Sequence, residues 1–138
     1  MADLKNLAND VYATISKRDL EGFLDYIADD VIEHEPPPVP EPLPGKAGIR
    51  QWFELLFAAF PDVTMTPEDL IVEDLKVAAR VRLQGTHRGE FMGIPATGKS
   101  IDVELIDIVR VNSNDKVAEH WGIVDDAGMM QQLGVMPG

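Results

Sequence analysis

The stretch GIPATGKSIDVELIDIVRV, residues 93–111, decides the fold class. Its first eight residues match the phosphate-binding pattern G-x-x-x-x-G-K-[ST], so the segment that follows them shows whether a nucleotide-binding fold is present. That pattern binds phosphate where a helix follows the loop, since the amide groups at a helix N-terminus converge on the phosphate oxygens. Here an alternating, β-branched segment follows instead, which predicts a strand. Pro95 also lacks one of the N–H groups that phosphate would need. We therefore expect a turn between two strands and no nucleotide hydrolase.

Composition narrows the class of protein further. The 138 residues are 45% hydrophobic, which suits a single domain spanning residues 1–138 with one core. Twenty-four acidic against twelve basic residues give a net charge of −12, which argues against nucleic acid or an anionic membrane as partner. The chain contains no cysteine, so it has no disulfide, thiol nucleophile or thiolate metal site. Its N-terminus lacks signal-peptide features and no apolar run reaches membrane-spanning length, so we expect a cytoplasmic protein.

Periodicity predicts an α+β order of elements. Helical spacing marks residues 4–15, a short helix opened by Asp19, and residues 46–60. A short strand in DDVIEHE (29–35) runs into the proline-rich segment 36–45. Strand alternation follows at 63–72, 76–87, 100–111 and 116–124, and a short helix ends at Gly134. This order predicts a cone-shaped α+β barrel, in which a curved, mostly antiparallel sheet wraps around three N-terminal helices. A pocket is expected at its open end.

Polar residues that interrupt apolar strand faces are candidates for the pocket, since a buried polar group is costly unless it is paired or used. Asp107 interrupts the apolar face of residues 101–111, and His87 ends the apolar face of residues 77–87. In residues 117–124 either face could point inward. We favour the face that carries Glu119, Trp121 and Asp125, because the large Trp121 side chain needs burial.

Three segments resemble the SnoaL-like polyketide cyclase family of the nuclear transport factor 2-like superfamily. They are GTHRGEFMGIPATGK (85–99), VAEHWGIVDDAGMMQQLG (117–134) and IEHEPPP (32–38). The similarity spans nearly the whole chain, and its most specific part is E-H-W-x-x-x-D followed by Q-Q-L-G. The resemblance implies the cone fold and an intramolecular aldol condensation that closes a ring in a polyketide, with no metal or organic cofactor.

The resemblance also implies site residues. The acid/base carboxylate matches Asp125, and His87 and His34 are candidates for polarising a carbonyl group. We assign Glu119, Trp121, Asp107, Trp52 and Tyr12 to substrate binding.

Each assignment has a structural alternative. Asp125 could cap the last helix, although we favour Asp126 for that role. His87 could be a turn residue, His34 could be held in a surface salt bridge, and Asp107 could pair with Arg80 or Arg82. His120 alternates with Trp121, so we expect it to face away from the pocket.

Several functions remain open on the sequence. The superfamily uses the same cone for isomerisation, hydrolysis, dehydration and plain ligand binding, and fold does not choose between them. The expected partner is an apolar, carbonyl-bearing small molecule. The spacing of the three histidines argues against a metal site. Ile106 and Ile108 on the outer sheet face suggest a homodimer or higher homo-oligomer.

Overall fold

A curved five-stranded sheet organises the computed structural model, which describes residues 3–135. Its spatial order is β1-β5-β4-β3-β2, and β1 pairs with β5 in parallel whereas the other neighbours are antiparallel. The sheet does not close into a full barrel. The strands are β1 (Ile27–Glu33), β2 (Thr64–Glu73), β3 (Lys76–Thr86), β4 (Ser100–Val111) and β5 (Val117–Val124).

Helices cover the concave side of the sheet, and the core lies between the two layers. They are α1 (Leu4–Ser16), α2 (Leu20–Leu24), α3 (Gly45–Ala59) and α4 (Asp126–Leu133). Asp3 and Asp19 cap the first two helices by accepting hydrogen bonds from backbone N–H groups of the first turn. Within residues 3–135, none of the helices combines the length and apolarity needed to cross a membrane. The architecture confirms the predicted α+β cone.

The loop that carries the phosphate-binding pattern lies between β3 and β4, as predicted. Two backbone hydrogen bonds, both 2.9 Å long, join the two ends of the loop. His87 N–H donates to Lys99 O, and Gly98 N–H donates to His87 O. Gly93 and Gly98 have φ angles of +82° and +72°, which suit glycine. A strand rather than a helix begins at Ser100, so the loop offers no helix N-terminus to a phosphate group.

Alternation on β3 and β4 places side chains as the sequence predicts. Val77, Ala79, Val81 and Leu83 are buried on the inner face of β3. Arg80 and Arg82 point outward and pair with carboxylates of neighbouring strands, Asp69, Glu104 and Asp102.

The prediction for β5 is wrong, because the strand presents its other face to the interior. His120 and Val124 line the interior and Ala118 is buried, whereas Ile123 is 75% exposed. Trp121 lies on the outer face, where its ring stacks on the His34 ring at 4.8 Å between centroids and the Lys76 ammonium group lies above it at 5.3 Å. These contacts cover the indole without placing it in the core, so the size of Trp121 was not a valid guide to the strand's orientation.

The start of α4 also differs from the prediction. Asp125 rather than Asp126 is the N-cap, and its Oδ1 atom accepts a 2.8 Å hydrogen bond from the Gly128 N–H group. Asp126 is the first residue of the helix. Gly134 ends α4 with a left-handed φ of 75°, as predicted.

The cap predicts a specific stability pattern. Asp125→Ala should lower the free energy of unfolding by about 1 kcal/mol, because it leaves the Gly128 N–H group without its acceptor. Asp125→Asn should cost only a few tenths of that, roughly 0.3 kcal/mol, since an amide oxygen caps nearly as well. Urea unfolding followed by circular dichroism would measure both variants. Equal losses in the two would contradict the capping role.

Candidate active site

A cavity of about 360 Å³ lies between the sheet and helices α1 and α3. Its walls are mostly apolar and include Val11, Ile15, Phe53, Leu83 and Leu105. Trp52 of α3 and Met92 of the β3–β4 loop also line it. The volume lies near the lower end of the range for sites that enclose a small organic molecule.

Four side chains form a hydrogen-bonded chain along one wall of this cavity. The Tyr12 hydroxyl group donates to Asp107 Oδ2 at 2.6 Å, and His120 Nε2 donates to Asp107 Oδ1 at 2.8 Å. On the other side of the imidazole ring, Nδ1 donates to the two oxygens of Glu33 at 2.8 and 2.9 Å. The chain thus joins α1, β4, β5 and β1, and we call these four residues the polar tetrad.

His120 is held as an imidazolium cation. Burial lowers the pKa of this residue, but the hydrogen bonds to Asp107 and Glu33 and the charges of both carboxylates outweigh burial and raise the pKa to about 10. Because both ring nitrogens donate, Asp107 and Glu33 act only as acceptors. Burial also raises the pKa of Tyr12, and the neighbouring Asp107 raises it further, so the phenol stays protonated.

Gly122 is the residue of β5 opposite Asp107, and the polar groups pack over it. A Cβ atom at this position would lie 2.6 Å from Glu35 Oε2 and 2.9 Å from both Asp107 Oδ1 and His120 Cε1. A side chain at this position would have to displace all three groups, so glycine lets them pack together over β5. The same distances bring one oxygen of Glu35 and one of Asp107 close to a single point.

Glu35 lies just beyond β1 and lines the cavity at its mouth, where it is partly exposed. Loss of solvation raises the pKa of its carboxyl group, the carboxylates of Asp107, Glu33 and Asp126 add to this, and the His120 cation opposes it. In the described part of the chain, no donor hydrogen-bonds the Glu35 side chain. Its carboxyl group is therefore open to a ligand.

Three of the predicted site residues line the cavity: Asp107, Tyr12 and Trp52. The proposed pairing of Asp107 with Arg80 or Arg82 is wrong, because both arginines lie on the opposite sheet face with other partners. Sequence reasoning missed His120, Glu33 and Glu35. The alternative orientation of β5 points His120 into the pocket. Because strand neighbours alternate, an outward-facing His34 indicates that Glu33 and Glu35 point inward.

The other five predicted site residues lie outside the cavity. Asp125 is exposed and caps α4, so it does not meet the apolar walls that the sequence suggested. His34, Glu119 and Trp121 share the outer sheet face, where His34 Nε2 is 2.7 Å from Glu119 Oε2 and Arg110 Nε is 3.0 Å from Glu119 Oε1. The salt-bridge alternative for His34 is therefore the one observed.

His87 is a structural residue of the β3–β4 loop. Its side chain is fully buried, stacks on Phe60, and accepts a hydrogen bond at Nδ1 from the Thr97 N–H group. It does not line the cavity, so the prediction that it lies at the pocket rim is wrong. Among residues 3–135, no three His, Asp or Glu side chains are grouped as ligands for a metal ion.

Comparison with known proteins identifies the family of this chain. The family model described as SnoaL-like polyketide cyclase matches residues 5–133. Aklanonic acid methyl ester cyclase DnrD from Streptomyces peucetius is 29% identical over 135 residues, which cover 96% of this chain and 89% of that protein.

Two solved structures of similar proteins share the fold across their whole length. IdmH from Streptomyces antibioticus, a proposed polyketide cyclase, superposes with a TM-score of 0.84 at 30% identity and covers 97% of this chain and 100% of its own. AclR from Streptomyces galilaeus, a proposed hydroxylase, has a TM-score of 0.85 at 27% identity and covers 96% of both chains. Since the family model spans nearly all described residues, this chain belongs to the SnoaL-like polyketide cyclase family.

Proposed function

We propose that the protein is an acid/base enzyme that closes a ring by an intramolecular aldol reaction on an apolar, carbonyl-bearing small molecule. One observation carries the proposal: a mostly apolar cavity contains the Asp107 carboxylate, held in place by His120 and Tyr12. An aldol addition moves a proton and forms a carbon–carbon bond without oxidation or reduction, so these side chains suffice without a cofactor.

Asp107 is the proposed base. A carbon next to a carbonyl group is acidic enough for a carboxylate to deprotonate it when water is excluded and the enolate oxygen is stabilised. The hydrogen bonds from His120 and Tyr12 fix the Asp107 carboxylate on the cavity wall, which orients it towards a bound substrate.

His120 and Tyr12 are the proposed stabilisers of the enolate. The His120 cation lies beside Asp107. Its positive charge stabilises the negative charge that develops on the substrate when the enolate forms. Once Asp107 takes a proton, it becomes a weaker acceptor for the Tyr12 hydroxyl group. That hydroxyl group can then donate to the enolate oxygen.

The names of the relatives support a cyclase, since DnrD is an aklanonic acid methyl ester cyclase and IdmH a proposed polyketide cyclase. AclR, with a similar fold, is a proposed hydroxylase. Because one fold carries different reactions, the proposal depends on the residues of the site and needs a direct test.

The test measures enolisation with 2-tetralone, a bicyclic apolar ketone. The wild-type protein should accelerate exchange of the C1 protons of 2-tetralone in D₂O, followed by proton NMR. Asp107→Asn should reduce this rate by about 100- to 10,000-fold, because an amide is no base. Asp102→Asn is the matched control, since Asp102 lies on the same strand but faces outward and pairs with Arg82.

Two outcomes would contradict the proposal. Undiminished exchange in Asp107→Asn would remove Asp107 as the base. Binding of 2-tetralone by the wild-type protein without any exchange would identify a binding protein of the same fold.

The His120 cation predicts a pH dependence of stability. Its pKa is higher in the folded state, about 10, than its ordinary value of 6.5, so its stabilising contribution is complete below about pH 6.5 and is lost as the pH rises through 10. The difference in free energy of unfolding between wild type and His120→Gln should therefore shrink across this range. Denaturant unfolding at several pH values would measure it. A difference that stays constant would show that His120 is not a cation.

We also propose that the chain forms a homodimer through the outer sheet face. Cross-strand neighbours Ile108 and Trp121, and Ile106 and Ile123, form an apolar patch on this face. Ile106, Ile108 and Ile123 are 45%, 38% and 75% exposed, respectively. Such a patch is costly in water and can be covered by the same patch of a second copy around a two-fold axis.

The dimer can be tested by its mass. Light scattering after size-exclusion chromatography at micromolar concentration should give twice the chain mass for the wild-type protein. Ile123→Glu should give a monomer, because it places a charge in the apolar patch. Leu43→Glu is the control, since Leu43 is 48% exposed but lies in the proline-rich loop. A monomeric wild-type protein would contradict the proposal.

A further inference from the structure

We propose that Glu35 is a second catalytic residue, which protonates the oxygen of the carbonyl group that is attacked during ring closure. This assignment rests on the proposed function, because it supplies the acid that complements the base Asp107. Glu35 lies in the family segment IEHEPPP, but no role was predicted for it from the sequence.

The position of Glu35 suits this role. Its Oε2 atom and Asp107 Oδ1 lie 2.6 and 2.9 Å from the same point above Gly122, so both carboxyl groups reach one end of the cavity. The Glu35 N–H group donates to Glu33 Oε1 at 2.9 Å, which fixes the backbone where β1 ends. Pro36, Pro37 and Pro38 follow and also line the cavity. Their restricted φ angles limit how far Glu35 can swing away.

The two carboxyl groups have opposite surroundings, as expected of an acid and a base that act together. Asp107 accepts hydrogen bonds on both oxygens, from the Tyr12 hydroxyl group and from His120 Nε2. Glu35 has no donor among the described residues and faces the carboxylates of Glu33, Asp107 and Asp126. Only the His120 cation favours its ionised form. Loss of solvation, with these carboxylates, raises the pKa of Glu35, which favours the protonated form that a proton donor needs.

The step balances in protons and bonds. Asp107 removes a proton from the carbon beside one carbonyl group, and the carbon of the resulting enolate bonds to the carbon of the second carbonyl group. The π electrons of that second carbonyl move to its oxygen, which takes the proton of Glu35. Overall, one carbon–hydrogen bond and one carbon–oxygen π bond are lost, and one carbon–carbon and one oxygen–hydrogen bond are formed. After release of the product, solvent at the cavity mouth returns a proton to Glu35 and removes one from Asp107.

The experiment compares two probes. The first, 2-(2-oxopropyl)benzaldehyde, needs both enolisation and protonation of the attacked carbonyl, and its ring closure followed by loss of water gives fluorescent 2-naphthol. The second, proton exchange of 2-tetralone, needs only the base. Glu35→Gln should lower the ring-closure rate by about 100-fold or more while changing the exchange rate less than about twofold. Glu41→Gln is the control, because it removes an exposed carboxylate from the same loop that does not line the cavity.

The outcomes separate this inference from the proposed function. Loss of exchange and ring closure in Asp107→Asn, with loss of ring closure alone in Glu35→Gln, supports both. Full ring closure in Glu35→Gln overturns the role of Glu35 and leaves Asp107 as the base. A wild-type protein that catalyses neither reaction overturns the proposed function.

A pH profile distinguishes an acid from a residue that only shapes the cavity. The ring-closure rate of the wild-type protein should fall as the pH rises through the pKa of Glu35. Glu35→Asp should keep this decline at a lower rate, and Glu35→Gln should lose it. Glu33, Asp107, Asp126 and His120 also face this group and are unchanged in these variants. The same decline in Glu35→Gln would assign it to one of them and overturn the inference.

Discussion

The hydrogen bonds of the His120 imidazolium group to Glu33 and Asp107 are the constraint on which the site depends. They tie three neighbouring strands, β1, β5 and β4, through side chains as well as through the backbone. A half-buried cation is costly on its own, and two carboxylates offset that cost while the cation offsets theirs. Loss of His120 would leave two carboxylates without their cation, and loss of either carboxylate would leave one imidazolium N–H group without its acceptor. The position of the Asp107 carboxylate is thus maintained by the packing of the sheet.

This arrangement divides the acidic residues of the chain into two groups. On the outer face, carboxylates such as Asp69 and Asp102 pair with arginines in solvent, where each pair contributes little to stability. Inside the cone, Asp107 and Glu33 have no arginine partner among the described residues, and the His120 cation offsets part of their charge. The protein therefore has an acidic outer surface and a separate internal cluster, on whose charges the proposed acid/base chemistry depends.

The sequence predicted the parts of the fold that depend on local pattern. The faces of β3 and β4 followed from alternation, and Pro95 with the β-branched segment after it showed that no phosphate loop was present. The orientation of β5 could not be derived in this way, because both of its faces mix apolar and polar residues. The contacts that decide it, Trp121 with His34 and His120 with Glu33, join residues more than 80 positions apart. His120 was missed with it, whereas Glu33 and Glu35 were missed because their neighbour His34 was predicted to be the inward-facing residue.

The family motif E-H-W-x-x-x-D gains a different physical meaning from this structure. Its histidine, His120, lies in the cavity wall, its tryptophan stacks on the outer face, and its aspartate, Asp125, caps α4. The seven residues from Glu119 to Asp125 thus contribute to the outer face, the cavity and the start of α4. Neighbours on a strand point to opposite faces, and β5 ends just before Asp125. A motif of this kind can identify the family without showing which of its members meets the substrate. Here the geometry favours Asp107, outside the motif, which accepts a hydrogen bond from the motif's histidine.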